Sequence, residues 1–139
     1  MTINDIQDEI IEEFSSFEDW MDKYSLLIEY GNGLDSFPEE HKIEQNLIDG
    51  CQSKVWFTAE LKDNKVIYHG DSDAILVKGI VALLIRVLNG HTPKEIVEAE
   101  LYFIDEINLR EHLSPTRSNG LNAMHKQMRL FALTYQAKQ

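Results

Sequence analysis

Nothing in the chain constrains its fold more than the run from Ala74 to Leu88. Ile75, Leu76, Val77, Ile80, Val81, Leu83, Leu84 and Ile85 make it apolar nearly all round. A helix of this kind is buried on every side, so the other elements must wrap it. Lys78 and Arg86 interrupt it, and nothing in the chain approaches the ~18 apolar residues of a membrane span. Gly79 in its middle costs about 1 kcal/mol of helix stability relative to alanine, which points to close packing against another element. Gly70-Asp71-Ser72-Asp73 leads into the helix, and Asn89-Gly90 ends it. Asp71 and Asp73 are expected to cap its positive end, with contact to a basic partner as a second role.

The wrapping elements can be read in turn. Val55 to Leu61 and Val66 to His69 are rich in β-branched and aromatic residues, and Lys62-Asp63-Asn64-Lys65 joins them as a hairpin turn. With Asp63-Asn64 as the turn residues, Leu61 faces Val66, Ala59 faces Tyr68 and Phe57 faces Gly70. That face is apolar and should pack on helices, while Trp56, Thr58 and His69 lie on the other. A polar, extended run from Glu44 to Ile48 adds a further strand, giving a small antiparallel sheet of about three strands.

Thr2 to Asp5 is a capping box, followed by Ile3, Ile6, Ile10, Phe14 and Phe17 at helical spacing. Ser16 with Asp19 opens a second helix through Trp20, Tyr24, Leu27 and Ile28, with Gly31 as its left-handed terminus. The acidic residues of both helices form a solvated face. Pro38 begins a short turn through His41. Thr92-Pro93-Lys94-Glu95 starts a short helix to about Ala99, and Ile104 to His112 makes another. Ser114 to Gly120 is a polar break before a last helix striped by Leu121, Met124, Met128, Phe131 and Tyr135. The fold class is α+β, in one domain over residues 1–139.

Charge and cysteine content narrow the function by exclusion. A net charge of −11 repels nucleic acid, and the start of the chain lacks the pattern of a signal peptide, so a soluble, cytoplasmic protein is expected. One cysteine rules out an internal disulfide and any paired-cysteine zinc or redox motif. The five histidines show no metal-ligand spacing, so no metal site is expected.

The lone thiol is Cys51, in Ile48-Asp49-Gly50-Cys51-Gln52-Ser53-Lys54-Val55-Trp56. A single cysteine can be an inert small hydrophobe. Gly50 and Ser53 on either side equally allow a sharp loop with the thiol at its tip. His69 is a candidate base for it, as in a cysteine-hydrolase dyad. Arg117, among Ser114, Thr116 and Ser118, is either a surface cation beside capping hydroxyls or a group that holds a partner carboxylate or an anionic sulfur.

Three separated stretches together resemble the SufE family, whose members are sulfur acceptors of iron–sulfur cluster assembly. They are Leu47 to Trp56; Gly70-Asp71-Ser72-Asp73-Ala74 with Val77-Lys78-Gly79; and His112 to Leu121. Asp19-Trp20 and the Thr92 to Ile96 helix start also fit, so the resemblance spans essentially the whole chain. It implies a SufE/IscU-like α+β fold and no cofactor of its own. It also implies that Cys51 takes persulfide sulfur from a pyridoxal-phosphate cysteine desulfurase, of the SufS or CsdA type, for a SufBCD-like scaffold. A single cysteine suits an acceptor and cannot supply the several ligands of a cluster scaffold. Two other classes stay open beside it: a non-catalytic adaptor of a desulfurase, and a peroxide-reactive thiol protein.

Overall fold

The computed structural model describes residues 1–138. In chain order they form α1 (Ile3–Ser15), α2 (Trp20–Asn32), β1 (Val55–Lys62), β2 (Lys65–Ser72), α3 (Ile75–Leu88), α4 (Pro93–Glu98), α5 (Phe103–Glu106) and α6 (Pro115–Ala137). Single 3-10 turns lie at Glu39–His41, Glu44–Asn46 and Arg110–His112. The fold is α+β, with α3 at its centre packed on α2, β2, α1 and α6. None of its described helices is long and apolar enough to cross a membrane.

The hairpin has the register its sequence implies. Leu61 pairs with Val66, Ala59 with Tyr68 and Phe57 with Gly70. Asp63 and Asn64 take φ of 51° and 63°, the left-handed turn that matches the twist of the strands. Val55, Phe57, Val66 and Tyr68 are buried against the helices, and Trp56, Thr58 and His69 lie on the half-buried outer face. The sheet has two strands rather than three. Glu44–Asn46 coils into a 3-10 turn, leaving one bridge, Leu47 to Trp56, where the third strand was expected.

Glycine governs how α2 meets α3. A Cβ on Gly79 would lie 2.3 Å from the Leu27 carbonyl oxygen, and one on Gly31 would lie 3.0 Å from the Gly79 nitrogen. Gly31 is therefore a packing residue. The helix runs past it to Asn32 and ends on Gly33 with a right-handed φ of −85°, not on a left-handed glycine.

Several helix ends depart from the sequence expectation, each for a local reason. Asp19 caps α2 itself, accepting from the Met21 N–H, while the Ser16 hydroxyl donates back to the Glu12 carbonyl. The segment Ile104 to His112 is not one helix, because Asn108 takes φ 59° between α5 and the turn at Arg110–His112. Ser114 to Gly120 is no break either. Ser114 is the N-cap of α6 and accepts from the Arg117 N–H, and Pro115 occupies the first helical position. Thr2–Asp5 and Thr92–Glu95 both close capping boxes, as their spacing predicts.

Candidate functional site

The loop carrying Cys51 is fixed at its feet and lightly held at its tip. On one side the Ile48 N–H donates to the Val55 carbonyl at 2.9 Å. On the other, Lys54 is gripped through its backbone by the residues that lead into α3. Its N–H donates to Asp73 Oδ1 (3.0 Å), and its carbonyl accepts from the Ser72 hydroxyl (2.9 Å) and the Asp73 N–H (3.2 Å). Between these anchors Gly50 takes φ +93°, a conformation L side chains rarely adopt, and this reverses the chain just ahead of the thiol.

The tip rests on α6. The Cys51 thiol donates to the Gly120 carbonyl at 3.6 Å, and a Cβ at Gly120 would sit 3.4 Å from the sulfur. Beside the thiol is a hollow of about 70 Å³. Val77, Met124 and Gly120 give it apolar walls, and Ser53, Thr116 and Arg117 give it a polar rim. Cys51 is half-buried, and burial pushes its thiol pKa above the ordinary value. At rest the group is therefore protonated and sheltered. Arg117 is exposed at the rim, and its guanidinium has no hydrogen-bond or ion-pair partner among the described residues. It lies in the first turn of α6, where a cation opposes the helix dipole, so the position does not serve helix stability.

The residues singled out from sequence divide cleanly. Cys51, Ser53 and Arg117 come together at this hollow, Gly50 turns the chain just ahead of the thiol, and Asp73 holds the foot of the loop. Neither Asp71 nor Asp73 caps α3, whose N-cap is Ala74 with no side-chain cap; the Ser72 hydroxyl accepts the Ala74 N–H instead. Asp71 faces the other way, accepting from the Ser72 N–H and pairing with Lys42 (3.2 Å) and Lys78 (3.4 Å). Burial alone would raise its carboxyl pKa, but these donors hold it below the ordinary value. Lys42 also lies 5.5 Å from the Trp56 ring centre, so the cluster pins the segment before the loop to the outer face of β1. His69 does not serve the thiol. It faces Glu60 at 3.7 Å in a separate hollow shared with His41. No group of His, Cys, Asp and Glu suited to a metal ion occurs among the described residues.

Sequence reasoning missed the α6 side of the site: Thr116, Gly120 and Met124. These recur four residues apart and share one helix face once α6 begins at Pro115. The Ser114-Pro115 pair, a cap followed by proline at the first helical position, was the signal that could have found them.

Comparison with known proteins bears on this arrangement. Residues 8–132 match the SufE family, described as an Fe-S metabolism associated domain. An uncharacterized SufE-like protein of Synechocystis sp. is 47% identical over 130 residues, covering 94% of this chain and 82% of that protein. The solution structure of a hypothetical protein from Thermus thermophilus superposes with a TM-score of 0.76 at 23% identity, over 93% of this chain and 94% of the other. At that identity the likeness concerns the fold alone.

Proposed function

The chain belongs to the SufE family, whose domain is associated with iron–sulfur metabolism, and from that premise we propose that it is a sulfur acceptor and carrier working through Cys51. A pyridoxal-phosphate cysteine desulfurase holds the sulfur of L-cysteine as an enzyme persulfide. The Cys51 thiolate attacks the terminal sulfur, forming a new S–S bond as the old one breaks. The enzyme cysteine leaves as a thiolate, and the sulfane sulfur keeps its oxidation level. Cys51 then holds the persulfide and delivers it to a cluster scaffold of the SufBCD type.

The observation that carries this reading is the setting of the thiol. It is the only cysteine of the chain, on a loop fixed at both feet, and among the described residues its side chain makes one weak S–H···O contact. Such a loop can leave its hollow and enter a partner's active site without unfolding the sheet behind it. Withdrawn, the thiol has a raised pKa and little nucleophilicity; presented to solvent or to a cationic partner site, it ionises more readily. Arg117 stands at the rim, where an anionic sulfur emerges.

The test is desulfurase turnover with and without this protein. Wild type raises the turnover rate, whereas Cys51→Ser binds with unchanged affinity and gives no stimulation. Full stimulation by Cys51→Ser would leave an adaptor as the better reading.

A further inference from the structure

The turn at Arg110–His112 is held by α2 on one side and by α6 on the other. The His112 imidazole stacks on the Trp20 indole, with ring centres 3.8 Å apart and planes 12° from parallel. The Tyr24 hydroxyl, one turn further along α2, donates to the His112 carbonyl, and His112 Nδ1 donates to the Asn108 carbonyl at 3.0 Å. Toward α6, the Arg110 carbonyl accepts from the Ser118 hydroxyl (3.4 Å), and the Arg110 guanidinium donates to Asn122 Oδ1 (2.8 Å).

The start of α6 needs this support. Thr116, Ser118, Asn119 and Gly120 are weak helix formers, Arg117 opposes the helix dipole, and no residue from Ser114 to Asn119 is buried. A stretch with poor propensity and no buried face stays helical through its tertiary contacts. That same stretch supplies Thr116, Arg117 and the Gly120 carbonyl to the Cys51 hollow. We propose that Trp20 and His112 are positioning residues for Cys51: their stack, with the Tyr24 hydrogen bond, clamps the Arg110–His112 turn to α2 and so keeps the first turns of α6 wound against the thiol. The consequence for sulfur transfer rests on the carrier reading above, whereas the positioning of the thiol does not. His112 is exposed and Trp20 only partly buried, so the stack can be removed without opening the core.

The experiment compares the full wild-type chain with His112→Ala, His112→Phe and Glu13→Gln. Phenylalanine keeps a ring for Trp20 to stack on. Glu13→Gln breaks the Arg86 ion pair between α1 and α3 and is a destabilised control whose residue does not line the hollow. Iodoacetamide alkylation of Cys51 under native conditions should run about tenfold faster in His112→Ala, because a loosened α6 exposes the thiol and burial no longer holds its pKa up. Persulfide transfer to this variant from a purified cysteine desulfurase should slow roughly fivefold. His112→Phe should stay within about twofold of wild type in both assays. Glu13→Gln should melt at a lower temperature and react like wild type.

Wild-type alkylation in His112→Ala would overturn the clamp. Equal acceleration in His112→Ala and Glu13→Gln would overturn it too, since that is general loosening. Equal acceleration in His112→Ala and His112→Phe would leave the stack without a part. If the desulfurase fails to load wild type, the carrier reading falls, and the alkylation rates still decide whether Trp20 and His112 position the thiol.

Discussion

A single cysteine carries the proposed chemistry, and the residues touching it divide its work. Gly50 supplies the left-handed backbone that lifts the thiol off the chain path, and Gly120 leaves the space on α6 into which the sulfur settles. Arg117 is the one charged group on the rim of the hollow. A charge-assisted hydrogen bond to an anionic sulfur or a partner carboxylate contributes about 1.5–3 kcal/mol. Replacing Arg117 with alanine should therefore slow persulfide transfer by roughly tenfold. The melting temperature should stay the same or rise slightly, because an unpaired cation leaves the first turn of α6. Rapid-quench transfer assays alongside thermal melts check both halves. Unchanged transfer would make Arg117 an ordinary surface residue.

The site depends on how α3 meets α2, since α3 carries Val77 to the hollow while Asp73 just ahead of it holds the loop. The crossing is as close as backbone permits. An alanine at residue 79 would drive its Cβ to 2.3 Å from the Leu27 carbonyl oxygen, where no side chain can move aside. Gly79→Ala gains helix propensity but forces the helices apart. The net cost should be about 2 kcal/mol, a fall in Tm of about 8 °C, measured by calorimetry. A variant as stable as wild type would show that the contact is looser than described.

This crossing was legible in the sequence, because a glycine that weakens a strongly apolar helix is retained where a neighbouring backbone comes too close for a Cβ. The hairpin was legible too: Asp63-Asn64 and the alternation on either side leave one sensible register. The third strand was misread, because an extended polar run carries no signal separating a full ladder from one bridge at Leu47. The α6 half of the site was hidden in Ser114 to Gly120. Their residue types favour breaks and turns, yet burial of Gly120 and Leu121 carries the helix through them. The opposite error occurred at Asp71 and Asp73, where cap-like spacing concealed a carboxylate that grips Lys54 and another that pairs with Lys42 and Lys78.

Across the whole molecule, two kinds of titrating group weaken the fold as pH falls, each in its own range. Glu13, hydrogen-bonded by Arg86 across the α1–α3 contact, has a lowered pKa and supports the fold until strongly acid pH. His125 and His91 act in milder acid. Burial lowers both pKa values; Arg129 and Arg110 add to the effect at His125, and Glu95 opposes it at His91. His125 Nε2 is also buried without a hydrogen-bond partner among the described residues. The unfolded chain then binds protons before the folded one does. These groups cost nothing above the ordinary imidazole range and destabilise the fold as pH falls through it toward their lowered folded values. His125→Gln should flatten the decline of Tm in that window while leaving the steeper carboxylate-driven loss at lower pH. An unaltered slope would show that His125 contributes nothing to it.

The central claim is that sulfur rides on Cys51, and intact-mass analysis reads this most directly. The protein is incubated with a cysteine desulfurase and L-cysteine without reductant, with Cys51→Ser in parallel. The account predicts added mass of one sulfur atom on the wild type alone, removed by dithiothreitol. An unchanged mass, with a desulfurase shown to load another acceptor, would contradict it.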